Sequence, residues 1–216
     1  MIYQTVKRFF DILLSAFALI VLSPILLISC IGIYISSPGP VFYKANRIGQ
    51  NKKPFTMYKF RSMHLNNEKG HMITLRSDSR IFPFGAFLRK SKIDELPQLI
   101  NILKGDMSIV GWRPEDEENV NAVFCGKYEE ILKTKPGLTS PGSLYDYTHG
   151  ELFESEEEYT MEFLPVKMDL ELCYVQHRSL LYDVQLIIRT IFTIVGIVLG
   201  KNDFEPPVEL KKMQKT

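Results

Sequence analysis

Apolar and polar positions divide the chain into stretches of different period, and the longest apolar one comes first. Residues 12–35, ILLSAFALIVLSPILLISCIGIYI, carry no charge and are long enough to cross a bilayer. Ser23-Pro24 interrupts them. Proline removes a helical N–H and clashes with the carbonyl four residues earlier, so the pattern predicts a helix, a break and a second helix, with the Ser23 hydroxyl able to serve a freed backbone group. Each arm then holds about a dozen residues, roughly 18 Å at 1.5 Å per residue, short of a hydrocarbon core of about 30 Å. Lys7 and Arg8 precede the segment, and Lys44, Arg47, Lys52, Lys53, Lys59 and Arg61 follow it, so both flanks carry the basic signature of the cytoplasmic side. A re-entrant helix-break-helix hairpin that enters and leaves one leaflet fits this better than the alternative, a single kinked span.

Beyond a Pro-Gly-Pro turn the period shortens. VFYKANRIG (41–49) and FTMYKFRSM (55–63) alternate apolar and basic residues across QNKKP, which predicts a small β-hairpin. Its second strand would carry Tyr58, Phe60 and Ser62 on one face, with Lys59 and Arg61 on the other, next to the membrane surface. Residues 64–88 read as a polar loop and an apolar lead, FPFGAFL. A helix is expected from the acidic run PEDEEN to about Leu132, then a turn-rich loop KTKPGLTSPGSLYDY, then a solvated Glu-rich face at 151–162. Residues 166–183 continue helically, with Glu171, Tyr174 and Asp183 as polar candidates. The apolar stretch from Val184 to Gly200 bears Gln185, Arg189 and Thr193 as a narrow polar stripe, the pattern of an interfacial or protein-packed helix. The charged tail after Lys201 shows no clear structure. The fold class implied is α+β and helix-dominated, a monotopic membrane protein with a hairpin anchor at 1–36, a catalytic domain at 37–200 and a polar tail at 201–216.

Charge sharpens the picture. Residues 1–113 carry 16 Lys+Arg against 6 Asp+Glu, and the remainder 10 against 19. A basic front half suits an anionic membrane surface and a phosphate-bearing ligand, while the acidic back half argues against nucleic acid as a partner. Cys30, Cys125 and Cys173 lie far apart and read as reduced, buried thiols. The four histidines lack ligand spacing, so any metal should be oxygen-bound, such as magnesium.

Chemistry concentrates in residues 89–115, RKSKIDELPQLINILKGDMSIVGWRPE, where Asp94 and Glu95 stand beside Arg89, Lys90, Lys92 and Arg113. Ser91 with Asp94 reads as a capping box, or Pro97 begins a helix one turn later. Either reading puts the acids at a helix start, where free N–H groups and the macrodipole favour ionised carboxylates able to bind a metal or attack an electrophile. The arginines suit a forked, multiply charged oxyanion, and a diphosphate ester is the natural electrophile.

Several stretches in this order, KRFFDILLS, the Ser23-Pro24 break, YKFRSM, SKIDELPQLINILKGDMSIVGWRP, PGLTS and YVQHRSLLYD, resemble the monotopic phosphoglycosyl transferases, or bacterial sugar transferases, over residues 5–195. The resemblance implies an enzyme on the cytoplasmic face of a bacterial inner membrane that moves a sugar-1-phosphate from a UDP-sugar to polyprenyl phosphate. It places the nucleophile, and a magnesium ligand, on Asp94, with Glu95 in a supporting acid/base or positioning role. Phosphate contacts would come from Lys59 and Arg89, and a nucleotide-side contact from Arg113. Trp112-Arg113-Pro114 stands where the family commonly has Pro-Arg-Pro, and the loop after PGLT lacks the family's arginine, so no residue is assigned there. The length implies a minimal catalytic unit. An inactive membrane-anchored scaffold would predict a damaged acidic pair, and the pair is intact.

Overall fold

In the computed structural model, which describes residues 2–65, 79–150 and 156–213, the first apolar stretch forms α1 (Ile2–Val21) and α2 (Ser23–Ser36), bent by 61°. The cause is local. Pro24 has no N–H for the Ile20 carbonyl, and the Ser23 Oγ donates to that carbonyl at 2.7 Å instead. Most of the apolar surface of both helices is exposed, including Phe17, Ile20, Leu27, Ile28 and Ile35.

The first half of α1 docks on the rest of the chain through polar contacts. Arg8 donates to the carbonyls of Ile102 and Leu103 at 2.5 and 2.8 Å, where cationic charge also meets the negative end of a helix. The buried Asp11 accepts from Ser108 Oγ at 2.8 Å and Ile109 N at 3.0 Å. Tyr3 and Lys7 both donate to Asp183 at 2.9 Å. Residues that in sequence look like membrane-flanking charges therefore clamp α1 to the rest of the chain.

The hairpin forms as β1 (Phe42–Ile48) and β2 (Pro54–Phe60), antiparallel, with Phe42 opposite Phe60 and Ile48 opposite Pro54. Arg61 departs from expectation. It lies past the strand end and is buried, donating to the carbonyls of Pro40 and Ser37 and to the Ser37 hydroxyl, so it ties down the turn after α2 instead of facing the membrane. The apolar lead folds as α3 (Pro83–Lys90), preceded by a bridge between Met63 and Ile81.

Ser91 starts no helix. Its Oγ donates back to Phe87 O at 2.8 Å and closes α3. Lys92 then takes a left-handed conformation (φ 56°), Ile93–Glu95 makes one 3-10 turn, and α4 (Gln98–Lys104) follows Pro97, so the second of the two helix starts is the one adopted. Asn101, fully buried, accepts from Tyr58 N at 3.0 Å and donates to Thr56 O at 2.7 Å, which pins β2 against α4.

The acidic helix is shorter than its sequence suggests. Asp116 caps α5 (Glu117–Val123) by accepting from Asn119 N, the helix breaks at Phe124, and a 3-10 stretch Gly126–Lys133 continues. The turn-rich loop is ordered. Short strands β3 (Ser108–Val110) and β4 (Gly137–Thr139) pair in parallel, and α6 (Pro141–His149) follows, with Ser140 as its cap and Pro141 in the first turn. Gly111 and Gly137 cross so closely that a Cβ on Gly137 would overlap the Gly111 backbone. That crossing aims the chain from Trp112 into Arg113.

Of the 151–162 stretch, residues 151–155 lie outside the described residues. The helix continues through α7 (Glu156–Glu158), a π turn Tyr159–Phe163 and α8 (Leu164–His177), ends at Arg178, and restarts as α9 (Leu180–Val198). The tail contributes α10 (Val208–Met213), because the buried Glu209 bonds Arg189 at 2.6 and 3.1 Å and Tyr182 at 2.8 Å. The largest core cluster includes Trp112, Phe124, Ile131, Leu172, Tyr174 and Leu186. Trp112, at the departure from Pro-Arg-Pro, is fully buried and donates Nε1–H to Thr134 O at 3.0 Å. None of the three cysteines is buried: Cys125 is exposed and the other two are intermediate.

Candidate active site

The acids of the 3-10 turn point inward, with Asp94 6% and Glu95 4% exposed. Their surroundings differ sharply. Glu95 Oε1 accepts from Arg113 Nη2 at 2.9 Å and Lys59 Nζ at 3.1 Å, and its Oε2 accepts from the Tyr147 hydroxyl at 3.2 Å. Burial opposes its charge, but Arg113, Lys59 and Lys92 outweigh burial and hold the carboxyl well below the usual range. Asp94 has no such set of donors. Its Oδ1 is buried without a hydrogen-bond partner, and burial together with the Glu95 charge pushes its carboxyl up, against Lys59, Lys92 and Arg89. The helix start therefore does not favour both acids alike, because no N–H donates to Asp94 Oδ1 while burial and the Glu95 charge oppose its ionised form.

Each partner is placed by a feature of the fold. Lys59 sits at the end of β2, held near the turn by Asn101. Arg113 follows the β3–β4 crossing, and its backbone N–H donates to Glu171 Oε1 at 3.3 Å. Tyr147 comes from α6, in the loop where the sequence suggested no residue. Its ring lies 3.9 Å from the Lys92 ammonium and 5.9 Å from the Arg113 guanidinium carbon, and burial raises its hydroxyl pKa well above the usual value. The signal for it was present: Ser140-Pro141 is a cap followed by a first-turn proline, which starts a helix and sets Tyr147 on its face.

A cleft of ≈ 380 Å³ is lined by Arg89, Lys92, Arg113 and Lys167, by the acids Glu115, Asp146 and Glu171, and by Tyr147; neither acid of the pair lines it, and it meets the pair through Arg113 and Tyr147, which bond Glu95. Arg89 is half-buried there and its side chain makes no ion pair or hydrogen bond among the described residues, so its guanidinium is available to an anion. The structure thus brings Lys59, Asp94, Glu95 and Arg113 together, sets Arg89 at the same cleft, and leaves Ser23 and Pro24 at the distant helix break.

Glu171 is the second buried acid. Its Oε1 accepts from Ser140 Oγ at 2.7 Å while Oε2 has no partner, and burial pushes its pKa up to about 7. Because the folded value lies above the unfolded one, stability attributable to this group should fall as pH rises from about 4.5 to about 7. Glu171→Gln keeps an acceptor for Ser140 and Arg113 and removes the charge. We expect it to be more stable than wild type at pH 8, by about 1–3 kcal/mol, with the difference falling to under about 1 kcal/mol at pH 5; urea denaturation at the two pH values measures this.

Comparison with known proteins matches the model of the family described as bacterial sugar transferase over residues 2–196. A UDP-N-acetylgalactosamine-undecaprenyl-phosphate N-acetylgalactosaminephosphotransferase of Aeromonas hydrophila is 35% identical over 199 residues, covering 90% of this chain and 44% of the relative. A UDP-glucose:undecaprenyl-phosphate glucose-1-phosphate transferase of Xanthomonas campestris pv. campestris is 35% identical over 198 residues, covering 90% and 40%. The exopolysaccharide production protein ExoY of Sinorhizobium fredii is 33% identical over 201 residues, covering 86% and 83%. The chain spans less than half the length of the first two relatives and most of the third. With the family model covering residues 2–196 of 216, this chain belongs to the bacterial sugar transferase family.

Proposed function

We propose that the chain is a phosphoglycosyl transferase that moves a sugar-1-phosphate from a UDP-sugar to polyprenyl phosphate, giving a polyprenyl-diphosphate-sugar and UMP. The observation that carries the reading is the contrast within the acidic pair: one carboxylate fixed by three donors, the other with an unpartnered buried oxygen beside a cationic cleft.

A carboxylate oxygen of Asp94 attacks the sugar-bearing phosphorus of the donor. The bond from that phosphorus to the bridging oxygen breaks, and UMP leaves with the electron pair, so Asp94 becomes an acyl phosphate carrying the sugar. An oxygen of polyprenyl phosphate then attacks the same phosphorus and returns Asp94 to a carboxylate. Glu95 acts by position, holding Lys59 and Arg113 where phosphate oxygens gain charge, and Arg89 supplies a further guanidinium to the diphosphate. Arg113 also serves the nucleotide side.

Among the described residues no three His, Cys, Asp or Glu form a metal cluster. Magnesium still fits, because it keeps most of its shell as water and substrate phosphate and needs one or two protein carboxylates, and Asp94 Oδ1 has a free coordination direction. When bound there, the ion would offset diphosphate charge and favour the ionised carboxylate.

The membrane placement follows from the same physics. The bend at Pro24 and the exposed apolar surface of α1 and α2 suit a re-entrant anchor at residues 1–36, and α9, long and apolar enough to cross a bilayer, exposes Leu181, Val184, Ile188, Phe192 and Val195 as an interfacial helix would. On this reading residues 37–200 form the catalytic domain on the cytoplasmic face of a bacterial inner membrane, where a lipid phosphate and a soluble nucleotide can both arrive.

Intact mass after incubation with a panel of UDP-sugars and magnesium, without lipid acceptor, tests the chemistry. A phosphosugar adduct on wild type and none on Asp94→Asn is the expected result. UMP release that requires polyprenyl phosphate, with no adduct from any donor, would sink the covalent step.

A further inference from the structure

A second cavity, of ≈ 390 Å³, shares no lining residue with the catalytic cleft. The first turns of α1 form one wall, and β3, the segment before β4 and the end of α8 complete it. Four basic residues line it: Lys7, Arg8, Lys135 and Arg178. Two of them have partners, Lys7 in its bond to Asp183 and Arg8 in its bonds to the end of α4. The cavity's one acid, Asp11, is taken up by Ser108 and Ile109. Lys135 and Arg178 are both half-buried, and among the described residues neither makes an ion pair or a hydrogen bond.

Asp11 bonds only neutral donors and keeps its charge, but with Lys7 paired to Asp183 the remaining Arg8, Lys135 and Arg178 outnumber it, and an anion would offset that surplus. Burial, and Arg8 beside it, push Lys135 toward its neutral form, against the opposing pull of Asp11 and Asp106. The source of the anion follows from what adjoins the cavity. Phe9, Phe10 and Leu13, on faces of α1 turned away from the cavity, are 63%, 45% and 52% exposed, so the turns that wall the cavity also carry apolar surface. We infer that this cavity binds the phosphate of an anionic phospholipid headgroup, held by Lys135 and Arg178 while the acyl chains lie along α1. A phospholipid there tethers the body of the protein to the leaflet independently of the α2 arm. The inference rests on the membrane placement of α1 proposed above and not on the chemistry at Asp94.

Native mass spectrometry of the purified protein in detergent, titrated with phosphatidylglycerol or phosphatidylcholine, tests it. Wild type is expected to retain one phosphatidylglycerol in preference to phosphatidylcholine. Lys135→Gln/Arg178→Gln should weaken that retention about 30-fold, at about 1 kcal/mol per basic side chain near an anionic headgroup. Lys44→Gln/Lys52→Gln removes two exposed charges elsewhere and should leave it unchanged. Equal retention by the cavity variant, or equal loss in the control, would overturn the site. Displacement of the lipid by glycerol 3-phosphate at equal concentration would overturn the lipid as its occupant. The single variants Lys135→Gln and Arg178→Gln give the same readout if the double variant does not fold. Flotation with neutral phosphatidylcholine vesicles separates the premises: wild type and variant should both float, whereas failure of wild type to float would remove the membrane placement itself.

Discussion

Replacing Asp94 by Asn should lower UMP release by about 10⁴-fold or more while leaving the protein at least as stable as wild type. The two halves of that expectation come from the same local facts. The Asp94 carboxyl makes no hydrogen bond to any described side chain or backbone group, and its Oδ1 is buried, so a neutral isostere gives up no contact. It also removes a like charge next to Glu95, the interaction that, after burial, keeps the Asp94 pKa raised. A thermal midpoint unchanged or a few degrees higher, together with lost turnover, would therefore assign the loss to chemistry. Loss within a factor of ten would mean that another group attacks phosphorus. The wild-type pH profile adds a second check. The attacking carboxylate must be ionised, so turnover should rise with pH along an acid limb, whose midpoint burial and the Glu95 charge raise and a bound magnesium ion would lower. Glu95, held in its charged form, titrates below that limb, and the midpoint belongs to the pair.

What could be read from the sequence was local, and what was missed depended on distant partners. Ser23-Pro24 breaks a helix by covalent geometry, and alternation of apolar and basic residues makes a hairpin wherever it folds; both were legible. The acidic pair and its arginines stand within one stretch, so the chemistry was legible too. Arg61 was not, because nothing in YKFRSM says that its guanidinium will turn back to Ser37 and Pro40. Nor does a charged tail announce that Glu209 will meet Arg189, or a Lys-Arg-x-x-Asp run that each charge will find a partner on α4, β3 or α9. Proline and glycine hid α6 and β4, since the same residues that make turns also open helices and permit close backbone crossings. Tyr147 was lost with them, although it completes the donor set around Glu95.

That donor set carries the second large effect. Arg113→Leu should destabilise the protein by about 3 kcal/mol at neutral pH, because it leaves the buried Glu95 carboxylate with Lys59 and Tyr147 alone. The figure is the low end for a broken buried pair, since the Arg113 side chain is 23% exposed and Lys59 remains at 3.1 Å. The sign with pH follows from the depressed Glu95 pKa. The stabilisation from pairing is present above the ordinary glutamate range and is lost as pH falls through the folded value, so the deficit of Arg113→Leu should shrink in acid. Adding Glu95→Gln removes the orphaned charge and keeps an acceptor for Lys59 and Tyr147. The double variant should then be more stable than Arg113→Leu alone, with a coupling of about 1 kcal/mol or more in a double-mutant cycle read by urea denaturation. Additive losses would mean that water already screens the pair, and Arg113 would then matter only when nucleotide is bound. Coupling, by contrast, would make Glu95 a fixed anion around which the phosphate-binding cations are arranged, leaving Asp94 as the group in the pair free to react.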